Sequence, residues 1–329
     1  NEEWKMNISV IGTGIYGVAL TLNMASNGHK IMMWTENEEL EKHFNKKHDL
    51  KPITDAFIPD AINLTSDIKE ALENADFVVL ATSAKYTRSI CIQMKKHFNT
   101  LTPICIATKG IENDTYSFLS DIVQKELKAK HITVISGPTF AVDLIKGEPV
   151  GLSAAVTTNK AYKFTELAMC NERVKLRENR DLCGTQLCGS VKNVIAIAAG
   201  MLDGLGFSES TRAFLITEAM HDMKELLLKL ECNPKTIMSF AGIGDLMLTC
   251  SSPKSRNYRY GKLLGERKSE EEIKDYLTHN TTEGYYTLLS IKGLTKNRKI
   301  KMPIINIIYD IAINHKDPEE LVDFLITKA

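Results

Sequence analysis

Near its start the chain runs N-I-S-V-I-G-T-G-I-Y-G, and this stretch narrows the choice of fold more than any other. Residues 7–11 read as a short buried strand. Gly12, Gly14 and Gly17 follow at once. Val18, Ala19, Leu22, Met24 and Ala25 then recur at helical spacing until Asn27-Gly28, a helix C-terminal signal. I-M-M-W at 31–34 supplies a second strand. Strand, glycine turn, helix, strand is the order that a dinucleotide-binding α/β unit requires. In that reading Gly12 permits the tight turn, Gly14 lets backbone approach a pyrophosphate, and Gly17 lets the helix lie close to the sheet. The helix start then offers N–H groups and a positive dipole end to the phosphates. Glu36 stands just past the second strand, nineteen residues after Gly17, where an acid would bond a ribose 2′-hydroxyl and repel a 2′-phosphate. That favours NAD over NADP; the alternative is a contact through Thr35 or Asn37, with Glu36 solvated.

Alternation continues along the first half. Strands are expected at 77–82, 104–108, 132–136, 152–156 and 174–177, with helices over 86–98 and 115–128. Such alternation predicts a doubly wound, mostly parallel sheet covered by helices on both faces. Ligands bind such sheets beyond the carboxyl ends of the strands. Thr82-Ser83, Lys109-Gly110 and Ser136-Gly137-Pro138-Thr139 stand at such ends and suggest one crevice. Turn chemistry accounts for glycine and proline there, but no turn needs Lys109.

After residue 184 the strand pattern stops. Helices are expected over 185–204, 208–231, 234–240, 244–249, 255–265, 269–279 and from 282 to the end. The domain division is therefore 1–184, a dinucleotide-binding domain, and 185–329, an all-α domain. Within the latter, T-Q-L-C-G-S-V-K-N-V-I-A-I-A-A-G at 185–200 is apolar around nearly its whole circumference, which predicts a buried helix. A lysine inside it must be neutralised, paired or used, or else snorkel to the surface. Lys192 is thus a candidate proton donor. In G-I-G-D-L-M-L-T-C at 242–250, Asp245 opens a helical turn with Thr249 four residues on, on the same face. In S-R-N-Y-R-Y-G at 255–261, Ser255 can cap a helix whose first turn holds Arg256 and Asn257. An arginine opposes the dipole there, so an anion site is the better reading.

Composition sets outer bounds. Lys+Arg and Asp+Glu are both 41, which argues against a nucleic-acid surface, and no apolar run is expected to be long enough to span a membrane, so no membrane insertion is expected. The polar start N-E-E-W-K-M reads as neither a secretory signal nor a transit peptide, so a cytosolic setting is expected. The seven cysteines are odd in number and several lie in apolar runs, which predicts reduced core thiols. Neither cysteines nor histidines show ligand spacing, and no metal is expected.

Taken together these motifs closely resemble NAD(P)-dependent glycerol-3-phosphate dehydrogenase of the bacterial type. The resemblance runs from G-T-G-I-Y-G through Lys109-Gly110, S-G-P-T-F-A (136–141), V-K-N-V-I-A-I-A-A-G-M-L-D-G-L-G-F (191–207), G-I-G-D-L-M-L-T-C, S-R-N and Glu283-Gly284. It implies a Rossmann domain followed by a helical domain like that of 6-phosphogluconate dehydrogenase. It implies reversible reduction of dihydroxyacetone phosphate to sn-glycerol 3-phosphate with NAD or NADP, feeding phospholipid synthesis, and a homodimer. It makes Lys192 the acid/base, with Lys109, Asp245, Thr249 and Asn193 around it. Lys109, Gly137, Thr139, Lys192, Asp245, Ser255, Arg256 and Asn257 would contact substrate. Gly12, Thr13, Gly14, Ile15, Tyr16, Gly17, Glu36, Lys109, Ala141, Arg256, Thr281 and Glu283 would contact cofactor. Thr139, Asp143 and Thr282 stand where serine, glutamate and valine are usual, and none of these changes removes a charged catalytic group.

In the mechanism this suggests, Lys109 would depress the Lys192 pKa while Asp245 would hold the ammonium in place, two opposed effects. Two rival readings remain at this level. One is a 2-hydroxyacid or ketopantoate reductase on the same two-domain plan, which would need a carboxylate grip. The other is a nucleotide-sensing protein without turnover, which would be expected to lose Lys192 or Asp245.

Overall fold

The computed structural model describes residues 4–328. Eight strands, β1 (Asn7–Ile11), β2 (Lys30–Trp34), β3 (Ile62–Thr65), β4 (Phe77–Leu80), β5 (Ile104–Ile106), β6 (Ile132–Ser136), β7 (Val150–Val156) and β8 (Val174–Asn179), form one sheet in the order β3-β2-β1-β4-β5-β6-β7-β8. The pairs from β3 to β6 are parallel, and so is β7 with β8. At the β6–β7 junction, the Thr157 N–H donates to the Ile132 carbonyl at 3.0 Å. The end of β7 thus meets the start of β6, so the last two strands run against the other six. Alternate residues feed separate cores on the two faces: Ile8, Val10, Val79 and Cys105 on one, Ile11, Val78, Leu80, Ile104 and Ile106 on the other.

The chain divides into two compact units. The first comprises residues 1–108, 119–135 and 139–182; the second takes 109–118, 136–138 and 183–329. The two short excursions, which carry Lys109 and Gly137, thus leave the sheet unit for the helical one. This also corrects the helix expected over 115–128. The helix is Leu119–Leu127, and the residues before it form a hairpin bridged between Ile111 and Phe118.

The second unit is built around the helix Leu182–Gly204. Against the expectation from sequence, this helix is long and apolar enough to cross a membrane, but 89% of its apolar window is buried within the protein. Four glycines let it cross the helix Arg256–Gly265 with backbones in contact. A methyl at Gly200 would overlap the Tyr258 carbonyl, one at Gly204 that of Lys262, one at Gly261 that of Ile197, and one at Gly265 that of Met201. The segment expected to be helical from 282 to the end is three helices, Glu283–Asn297, Pro303–Ala312 and Glu320–Thr327. Pro303 stands in the first turn of the second, where a missing N–H costs nothing.

One expectation about cysteine fails here. Cys183 and Cys232 are joined as a disulfide with Cα atoms 5.8 Å apart. They are 49 residues apart in sequence, and tertiary packing of the helix start against the turn after the helix Glu209–Lys229 brings them together.

Candidate active site

Within the second unit a buried charge cluster gathers four of the expected residues. Lys192, 7% exposed, donates from Nζ to Asp245 Oδ1 at 2.6 Å and to Thr249 Oγ1 at 2.8 Å. Lys109 donates to the other Asp245 oxygen, Oδ2, at 2.7 Å. Asp245 is 1% exposed, so one buried carboxylate lies between two ammonium groups. Thr249 Oγ1 in turn donates to the Asp245 carbonyl at 2.7 Å, which turns its lone pairs toward Lys192. The arrangement follows from helix geometry: Asp245 is the first residue of the helix Asp245–Ser251, and Thr249 lies one turn later.

Lys192 has its pKa lowered to about 8. Burial is the largest cause; Asp245 opposes it and Lys109 adds to it. The competition between Lys109 and Asp245 is thus settled by a third effect, loss of solvent around the ammonium. Glu283, at the start of the helix Glu283–Asn297, is shifted upward by burial, against the pull of Arg256, Lys109 and Lys192. Three cations stand among two carboxylates, which leaves the cluster net positive and suited to an anionic ligand.

The crossing glycines fix the start of the helix Arg256–Gly265 relative to Lys192. Ser255 caps that helix, its hydroxyl accepting from the Tyr258 N–H at 3.2 Å. Asn257, 8% exposed, accepts at Oδ1 from the Gly284 N–H at 2.8 Å. That bond assigns the amide orientation and leaves the NH₂ as donor for something else. Arg256 is exposed in the first turn, and its carbonyl accepts from the Tyr276 hydroxyl at 2.9 Å. Asn193 meets this region through its backbone: a methyl at Gly284 would stand 2.6 Å from the Asn193 carbonyl. Gly137 lies buried in its excursion, and beside it the Ser136 hydroxyl is buried without a partner among the described residues. Thr281 is exposed and Thr282 buried.

Within the first unit the glycine loop fits a dinucleotide. Gly12 has φ of 119°, and a methyl there would stand 2.6 Å from the Ala81 carbonyl oxygen. Gly17 lies so close that its methyl would be 2.9 Å from the Gly12 carbonyl oxygen, whereas a methyl at Gly14 would meet open space. The helix Ile15–Ser26 begins after Gly14 with no side-chain cap and no acid in its first turn, which suits a pyrophosphate. Ile15 and Tyr16 are partly buried at that start. Thr13 Oγ1 donates to Thr35 Oγ1 at 3.1 Å, and Asn37 caps the helix Glu38–Lys47. Both alternatives to Glu36 are thus engaged elsewhere, while Glu36 is exposed beyond the end of β2. Thr139 has a buried hydroxyl without a partner among the described residues, and Ala141 opens the helix Ala141–Ile145.

Gly284 both orients Asn257 and abuts Asn193, whereas sequence reasoning quoted it only as part of the Glu283-Gly284 motif and gave it no role. It also missed the crossing glycines, although paired small residues four apart, Gly200 with Gly204 and Gly261 with Gly265, were a visible signal.

Comparison with known proteins agrees with this geometry. Family models described as the N-terminus and C-terminus of NAD-dependent glycerol-3-phosphate dehydrogenase match residues 7–162 and 181–323. The chain is 36% identical over 317 residues to glycerol-3-phosphate dehydrogenase [NAD(P)+] of Serratia proteamaculans, covering 95% of this chain and 93% of that one. It is 35% identical over 325 residues to the enzyme of the same name from Thermoanaerobacter, covering 98% and 97%. A crystal structure of glycerol-3-phosphate dehydrogenase from Coxiella burnetii matches it with a TM-score of 0.93 at 29% identity, over 98% of this chain and 99% of that one. A glycine loop shaped for a dinucleotide, a buried lysine on a carboxylate, and likeness along nearly the full length agree: the chain belongs to the NAD-dependent glycerol-3-phosphate dehydrogenase family.

Proposed function

We propose that this protein reversibly reduces dihydroxyacetone phosphate to sn-glycerol 3-phosphate with Lys192 as the proton donor. The observation that carries the reading is the buried Lys192 ammonium held between Asp245 and Thr249, with its pKa drawn down to about 8. A proton donor works best when its pKa lies near the working pH. The nicotinamide, when bound, supplies the hydride for the substrate's C2 carbonyl. Lys192 then stabilises the negative oxygen and gives it the proton, and in the reverse direction the neutral amine takes that proton back. Asp245 and Thr249 hold two of the three ammonium hydrogens and leave the third for substrate. Lys109, on the far oxygen of Asp245, keeps that carboxylate from fully neutralising Lys192.

Arg256, the Asn257 amide and the start of the helix Arg256–Gly265 supply the phosphate grip, with Gly137 and Thr139 as further substrate contacts. Such remote binding orients the carbonyl and lowers the entropic part of the barrier. Gly12, Thr13, Gly14, Ile15, Tyr16 and Gly17 would seat the pyrophosphate, with Ala141, Thr281 and Glu283 completing the cofactor contacts. Glu36 would bond the ribose and favour NAD. On family likeness we place the protein in the cytosol as a homodimer that supplies glycerol phosphate for glycerophospholipids.

NADH oxidation followed by absorbance tests this reading. Rapid turnover with dihydroxyacetone phosphate and little with ketopantoate is expected. Preference for ketopantoate, or normal turnover by Lys192→Ala, would overturn it.

A further inference from the structure

Lys109 opens the excursion 109–118, a hairpin closed by the Ile111–Phe118 bridge and by the Glu112 N–H donating to the Ser117 carbonyl at 3.1 Å. Gly110, directly after it, has φ of 145°, so the backbone changes direction at once. Thr108 fixes the chain before Lys109, its hydroxyl donating to the Thr82 carbonyl at 2.9 Å, and the chain after Lys109 is set by whatever holds the hairpin. That holder is the helix Glu283–Asn297. Ser290 Oγ donates to the Ile111 carbonyl at 3.0 Å and also meets Asn113 Oδ1. Ile111, 3% exposed, lies in the same core as Leu288 and Ile291. The Tyr116 ring is seated on Gly293, where a methyl would overlap ring atoms Cε1 and Cζ. Tyr116 itself has φ of 58°, a left-handed conformation that a bulky residue seldom adopts. Packing of the ring therefore offsets a backbone preference at the hairpin turn.

The same helix supports the phosphate side of the site. Its Gly284 holds Asn257 and abuts the Asn193 carbonyl. Gly284 and Gly293 lie about two and a half turns apart, on opposite sides of the helix. We propose that Tyr116 and Ser290 are positioning residues for Lys109, with Gly293 as the notch that seats the ring, so that the helix Glu283–Asn297 sets how closely Lys109 approaches the Lys192–Asp245 pair. This rests on the reading in which Lys192 carries the proton. Lys192 is faced by Asp245 and Cys250 from one helix, Glu283 from another, and Lys109 from the hairpin. Withdrawing Lys109 removes a like charge and gives Asp245 wholly to Lys192; both changes raise the Lys192 pKa.

The test is the pH dependence of kcat/KM for dihydroxyacetone phosphate at saturating NADH, with melting temperatures in parallel. Lys109→Met should move the alkaline limb up by about one pH unit. Gly293→Ala, which pushes the outer end of the ring aside, should move it the same way by less, and so should Tyr116→Ala. Tyr116→Phe keeps the ring and should keep the wild-type profile. The double variant of Gly293→Ala with Tyr116→Ala should shift no further than the larger single change, because both act through one contact. If Gly293→Ala does not fold, Tyr116→Ala against Tyr116→Phe carries the same comparison. A limb moved by Lys109→Met but not by Gly293→Ala or Tyr116→Ala overturns the proposal alone. A limb that Lys109→Met also leaves unmoved overturns the reading beneath it, and the proposal with it.

Discussion

In the proposed function the two units would meet their ligands by different means. The first offers backbone: its glycine loop has no charged side chain, and selectivity depends on where a methyl group cannot be placed. The second offers side chains: two lysines, an arginine and two carboxylates drawn from five separate segments. Backbone recognition is rigid and local in sequence, so it depends on few residues and says little about chemistry. Side-chain recognition is assembled from distant segments, so it can be tuned, and it fails by degrees when a supporting contact shifts. The contrast predicts that changes in the second unit act on rate and substrate, and changes in the first on cofactor affinity.

The largest effect expected is from Lys192→Ala, a loss of turnover of at least about a hundredfold, with NADH affinity by fluorescence titration nearly unchanged. An equal loss in NADH affinity would erase the proposed division of labour. The unmodified protein should show the same group as a pH limb. In the proposed mechanism Lys192 is protonated for reduction, so that rate should hold through neutral pH and fall as pH rises through about 8. For oxidation the neutral amine is needed, and the rate should rise through the same pH. Limbs of the same sign in both directions would show that another group governs the profile.

Next is the phosphate grip. Arg256→Ala should raise KM for dihydroxyacetone phosphate by about tenfold or more, the worth of a charge-assisted hydrogen bond. The change in kcat should be smaller, and steady-state kinetics separates the two. Gly14→Ala sharpens the other side of the comparison. Its methyl meets open space in the protein, so the melting temperature should hold while Kd for NADH rises roughly tenfold as the pyrophosphate loses its approach. Gly12→Ala should instead damage the fold, because φ of 119° and the Ala81 carbonyl both oppose a side chain.

The same contrast governs what could be read from sequence. The glycine loop was legible because its parts are contiguous, and the buried helix was legible because a lysine is out of place in it. β3 has no counterpart among the strands expected from sequence, being only four residues at the sheet edge with two apolar side chains, Ile62 and Leu64, too short a run to show a period. The 115–118 stretch reads as helix in the sequence because its local pattern continues into Leu119–Leu127, while the Ile111–Phe118 bridge and the Tyr116 ring on Gly293 hold it in a hairpin. The Cys183–Cys232 pairing and the Gly284 bond to Asn257 depend on helices packing in three dimensions, and no spacing encodes either. Lys192 and Asp245 could be nominated separately, but their salt bridge spans 53 residues and only the fold supplies it.

The smallest effect expected lies in the first unit, where one side chain supplements the backbone. Thr35 Oγ1 accepts from Thr13 at 3.1 Å and from the Asn37 N–H at 3.2 Å, and Asn37 itself accepts from Glu39 and Leu40 as a helix cap. Glu36 is therefore the side chain at the end of β2 with no part in that local network. An exposed acid there should attract a ribose diol and repel a 2′-phosphate, each modestly, because solvent screens it. Glu36→Ala should raise KM for NADH and lower KM for NADPH, each by only a few-fold. The ratio of kcat/KM for the two cofactors is the measurement. An unchanged ratio would mean that the first unit reads its cofactor through backbone alone, and the contrast between the units would then be complete.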